Sequence, residues 1–129
     1  MDIQKAFNKH FIEFVDDIAA YFSDNVEIQT TATALRAMRK ANPKMIITVW
    51  KNHIVDVYDA EIEEGDINFF ITKEYTQDVA GYDGKDDVLS GIEKIRKPIK
   101  EMPDSDQEKS MKYIQNLTKL CKLYYLNRS

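Results

Sequence analysis

Apolar residues stepping by three and four recur along most of this chain, and that spacing restricts its fold more than any other feature. A helix turns once every ~3.6 residues, so apolar side chains at those steps share one stripe, which is buried by packing helix on helix. Ile3, Phe7, Phe11, Phe14, Ile18 and Phe22 make the first stripe, with Glu13, Asp16 and Asp17 on the other side. The spacing predicts a helix from Ile3 to Phe22. Ser23-Asp24-Asn25 ends it, because these side chains compete for backbone hydrogen bonds. A second helix, Glu27 to Ala41, has Leu35 and Met38 as its main apolar knobs. Arg36, Arg39 and Lys40 near its end suit the negative end of the helix dipole. Asn42-Pro43 then stops it and is expected to start a third helix, with Asn42 as the cap and Pro43 in the first position.

The third helix is read with Ile46, Ile47, Trp50, Ile54, Val57 and Tyr58 on its buried face, although Met45 to Trp50 also has strand propensity. Gly65 looks like the residue past its last turn, and Asp66 is ready to cap the next element. Ile67 to Ile71 fits either one helical turn or a short strand, and because nothing offers it a hairpin partner it is read as a short helix plugging the core. Gly81 to Lys85 reads as a loop. Asp86 or Asp87 is expected to cap a helix bearing Val88, Leu89, Ile92, Ile95 and Ile99. Pro98 and Pro103 delimit a connector, and Ser105-Asp106-Gln107-Glu108 reads as a capping box heading the last helix. That helix has a wide apolar face of Met111, Ile114, Leu117, Leu120, Cys121 and Tyr124. Tyr113, Leu123, Tyr125 and Leu126 are spread around the rest, so it is either central or has a face left for a partner.

At 129 residues, with 43% apolar residues and only four Gly and three Pro, the chain can bury one core without disulfides or metal. The expectation is an all-α fold: one helical domain over residues 1–129, a single compact bundle of five or six helices. The first, third and last helices form the core, with Trp50 near its centre.

Little in the chain suggests catalysis. His10 and His53 lie in different helices without a metal-binding spacing, and the four glycines are too scattered for a phosphate loop. Asp83-Gly84-Lys85-Asp86-Asp87 lacks the alternating ligands and terminal Glu of a calcium loop. Adjacent pairs such as Glu63-Glu64 diverge on a helix, which is wrong for shared acid and base work. Cys121 has no disulfide partner within the chain and no neighbouring base, so it reads as a small core residue in a reducing, intracellular setting. No enzyme activity, cofactor or metal is expected. No stretch approaches the ~20 apolar residues of a membrane span, and the N-terminus lacks the pattern of a signal peptide, so secretion is not expected.

Charge is divided along the chain. His53 to Ser90 holds eleven carboxylates against Lys73 and Lys85, whereas Gly91 to Ser129 holds nine basic residues against five acidic ones. Arg96, Lys97, Lys100, Lys112 and Lys119 are the candidates for nucleic-acid phosphates. The net charge of −4 opposes that use, and the basic end equally complements the acidic middle, within the fold or in a neighbouring copy. Tyr113, Tyr124 and Tyr125 are the candidates for contact with another protein or a second copy, because tyrosine gives contact area at low entropy cost. Their alternative is core or plain surface.

Three segments carry a resemblance: Ala41-Asn42-Pro43-Lys44-Met45-Ile46-Ile47 with Trp50, Gly65-Asp66-Ile67-Asn68-Phe69-Phe70, and Met111 to Leu120. Through them nearly the whole chain resembles a family of small helical proteins encoded by large nucleocytoplasmic DNA viruses of algae and other protists. The resemblance implies synthesis in the host cytoplasm, and a place in the virion or action in a viral factory. It implies no site residue. The expectation is a non-enzymatic interaction module, a small virion or capsid-associated component whose partner is viral, host or itself. The alternative is an accessory factor binding nucleic acid or the viral replication and transcription machinery.

Overall fold

Trp50 is wholly buried at the junction of three helices, and the chain is arranged around it. The structure, a computed structural model, describes residues 2–68 and 85–128. These form an all-α bundle, with no strand among the described residues. Its elements are α1 (Ile3–Tyr21), α2 (Val26–Ala41), α3 (Met45–Trp50), a π-helical turn (Lys51–Val55), α4 (Asp56–Glu64), α5 (Lys85–Arg96), a 3-10 turn (Lys97–Glu101) and α6 (Asp104–Arg128). α1 and α6 make the most extensive helix pair, α2 packs on α5, and α3 touches α1, α2, α5 and α6. The edges of Phe7 and Phe11 meet the indole of Trp50 at centroid distances of 6.1 and 6.2 Å. Its Nε1 donates to the buried Thr118 Oγ1 at 3.2 Å, which removes the ~1–3 kcal/mol cost of an orphaned buried donor.

Side chains close the helix ends. Asp2 accepts from the Lys5 amide and Asn25 from the Ile28 amide, each satisfying one free N–H of a first turn. Gln29 reaches back from α2 to the Ala19 and Phe22 carbonyls and so finishes α1. The Asn42-Pro43 corner is tied to α1 by the buried Asn8, whose Nδ2 donates to the Pro43 carbonyl at 2.8 Å. α3 begins two residues later than the Asn42 cap requires. Lys44 is its N-cap, and Asn42 instead closes a turn by accepting from the Met45 amide.

The third apolar run is helical, but it is not one straight helix. The Asp56 amide reaches back to the Lys51 carbonyl, a five-residue step, and Tyr58 departs from helical geometry at φ −123°, ψ 22°. The wider turn shifts the register of the residues after it. Val57, expected inside, is therefore 57% exposed, Tyr58 is half-buried, and Val49 and Val55 join Ile46, Ile47, Trp50 and Ile54 in the core. α4 ends as its glycine indicates. Gly65 takes φ 77°, its amide bonds the Ile62 carbonyl, and the Asp66 amide bonds that of Glu61. Asp66 Oδ1 accepts from the Asn68 amide. Most of the expected Ile67–Ile71 plug, and Gly81 to Gly84 of the expected loop, lie outside the described residues.

Two helix starts differ from expectation. α5 already runs at Lys85, so Asp86 and Asp87 lie inside the helix and do not cap it. α6 starts at Asp104, with the Pro103 carbonyl accepting from the Asp106 and Gln107 amides, so Ser105 falls inside the helix. Gln107 Nε2 donates to the Met102 and Lys100 carbonyls and joins α6 to the preceding turn. α5 stops before Pro98, which lacks the amide to continue it, and the 3-10 turn carries Ile99 into the core.

Candidate functional site

The surface of α6 divides into three kinds of face. Its inner side, Met111, Ile114, Leu117, Thr118, Cys121 and Tyr124, is buried. One flank meets α1. Tyr113 stacks near His10 and Phe14 at ring distances of 4.8 and 5.3 Å, and its hydroxyl donates to Asp17 Oδ2 at 2.9 Å. Burial, then this bond to a carboxylate, pushes the Tyr113 phenol up to about 12. The Tyr124 hydroxyl reaches Gln4 Oε1 at 3.4 Å, also on α1. Tyr125 turns to α3, its hydroxyl 3.3 Å from Thr48 Oγ1 and its ring under Lys51 Nζ at 5.5 Å. The hydrogen bond from Lys51 to Asp56, 2.7 Å long, holds the lysine above its ordinary range.

All three tyrosines singled out for partner contact thus tie α6 to its own neighbours. Cys121 is buried, with Sγ 3.7 Å from the Ile47 carbonyl, and burial pushes its thiol up to about 12, which removes the reactive thiolate at neutral pH.

The outward stripe is Lys109, Lys112, Asn116, Lys119, Leu123 and Leu126, at steps of three and four and exposed throughout. Leu123 is 47% and Leu126 69% exposed. The stripe contains no acidic residue, and its basic part leads directly into its apolar part. A helical-wheel reading of the residues opposite Met111 and Ile114 contains this signal, although the tyrosines draw attention first.

The second flank meets α4, which runs antiparallel to α6. Lys122 Nζ lies 2.6 Å from Asp59 and 3.9 Å from Glu63, and Gln115 Nε2 donates to the Ile62 carbonyl at 2.9 Å. Between the two helices is a shallow groove of about 200 Å³, with Asp59 and Glu63 on one wall and Lys119 and Lys122 on the other. Asp56, Glu63 and Glu64 face solvent along α4.

The five phosphate candidates do not share one face. Arg96 is 1% exposed, with Nη2 4.0 Å from the Glu93 carboxylate. A guanidinium buried there serves packing and ion pairing in place of a polyanion. Lys97 is exposed but lies 3.4 Å from the same Glu93, and Lys100 stands on the 3-10 turn. Only Lys112 and Lys119 belong to the α6 stripe. His10 and His53 sit on α1 and the π turn, and no cluster of three or more His, Cys, Asp or Glu suited to a metal occurs among the described residues. No helix among them is long and apolar enough to cross a membrane.

Compared with family models, with curated proteins and with solved structures, the chain matches none at a significant level. The surface of α6 and its neighbours is therefore the ground on which a function can be assigned.

Proposed function

We propose that the chain is a non-enzymatic protein-interaction module that docks through the outward stripe of α6. The observation that carries this reading is the pair Leu123 and Leu126, exposed at the end of a lysine row on a helix whose tyrosines are occupied within the fold. Apolar side chains give a docked surface its energy, and lysines beside them select an acidic partner and reject a basic one. The motif resemblance supplies the setting: a small virion or capsid-associated component of a large DNA virus, made in the host cytoplasm or viral factory.

Quantitative mass spectrometry of purified particles and infected-cell lysate, followed by crosslinking, tests this. High copy number in the particle, with crosslinks from Lys112 or Lys119, supports it; absence from particles removes the virion reading.

A second reading, an accessory factor for nucleic acid or the replication and transcription machinery, rests on Lys112 and Lys119 of that stripe, Lys109 being paired with Asp17 at 3.0 Å. Phosphate binding weakens by orders of magnitude between roughly 50 and 200 mM salt, whereas docking on leucines flanked by a few lysines weakens far less. No binding to nucleic acid at low salt rejects this reading.

A further inference from the structure

We infer that the partner of this face is a second copy of the chain, joined through the α4/α6 surface about a two-fold axis; this rests on the docking reading above.

A two-fold interface requires a patch that complements itself. The α4/α6 surface has that property, because Asp59 and Glu63 line one wall of the groove and Lys119 and Lys122 the other, on two antiparallel helices. Glu63 is exposed on α4 and Lys119 on α6, and the two stand on opposite walls of the groove. An axis in the interface plane, running along that groove, lays α6 of each copy over α4 of the other. The basic wall of each groove then meets the acidic wall of the other copy. Lys119 opposes Glu63 of the second copy, and the exposed Leu123 and Leu126 meet the end of α4 that carries the exposed Val57 and Ala60.

The alternative axis, across the groove, sets acid against acid and lysine against lysine, so the charge pattern selects one arrangement. The internal pairing of Lys122 with Asp59 and Glu63 already shows that these two walls attract at contact distance. A chain that presents both halves of a complementary surface beside each other needs no other partner to cover it.

Charge swapping tests this on the full chain by sedimentation over a range of concentrations. The wild type is expected to approach the mass of two copies, with a dissociation constant rising about tenfold between roughly 50 and 500 mM salt as screening increases. Lys119→Glu alone and Glu63→Lys alone, each checked for helical content by circular dichroism, are expected to be monomeric. Their equimolar mixture is expected to form a heterodimer, because both contacts then again pair opposite charges.

A wild type that stays monomeric at high concentration and low salt overturns the inference, as does a mixture that remains monomeric. Leu123→Asp keeps this outcome distinct from failure of the docking reading itself. If the wild type is monomeric but this variant loses the particle crosslinks of the parent, the face docks on a different acidic protein. If the variant changes neither property, both readings fail.

Discussion

The α1-facing and α4-facing flanks of α6 use the same element in opposite ways. Toward α1, the Tyr113 ring lies against His10 and Phe14, and Tyr113 and Tyr124 place their hydroxyls on Asp17 and Gln4. Toward α4, charged side chains meet across an open groove, and Lys122 is shared between Asp59 and Glu63. The first flank removes large apolar surface from water and satisfies the polar atoms that go with it. The second keeps its charges solvated, where each pair contributes only ~0–1 kcal/mol and can exchange its partner for one on another surface. On the proposed reading, stability and recognition are carried by different sides of one helix.

The difference is broken most severely at Trp50. Trp50→Ala is expected to cost about 3–5 kcal/mol, since it empties the meeting point of α1, α3 and α6 and orphans Thr118. Chemical denaturation monitored by circular dichroism reads this loss, which is a large share of the ~5–15 kcal/mol that holds a domain folded.

On the α4 side the largest expected single effect is backbone. Gly65→Ala places a Cβ at φ 77° and is expected to cost about 1–2 kcal/mol, read as a lower denaturation midpoint with unchanged slope.

Tyr113→Phe sharpens the α1 side and is expected to cost about 1 kcal/mol through loss of the bond to Asp17. Because the folded phenol is raised to about 12, its contribution is fully present below the ordinary tyrosine value of about 10 and is lost as pH rises through about 12. The Phe variant is expected to lack that part of the alkaline decline in a denaturation series. Cys121 is expected to react with a thiol reagent only as fast as the core opens, and a fast reaction in native buffer would contradict its burial.

The smallest effect on stability is expected where the effect on binding is largest. Leu123→Asp should shift folding stability by less than about 0.5 kcal/mol while abolishing docking. A larger destabilisation would mean that the outer stripe belongs to the fold after all.

The chain's local chemistry settles a good deal of this. Steps of three and four define where α1, α2 and α6 run to within a residue or two, because a stripe must face one way along a helix. Asn25 and Gly65 mark helix ends because they satisfy backbone groups within a few residues of themselves. The burial of Trp50 and Cys121 follows from their neighbours on the same stripes.

Long-range packing decides the rest. No local signal places Arg96 inside or turns Val57 out, because the first depends on what α5 meets and the second on a π turn that a straight periodicity cannot contain. The tyrosines behave likewise. Their composition suits an interface equally well inside or outside the molecule, and only the approach of α1 and α3 to either side of α6 commits their hydroxyls to Asp17, Gln4 and Thr48. A helix carries its own stripes, but which stripe is left for a partner is decided by the helices that arrive first, since each covers one side and only the uncovered side meets water.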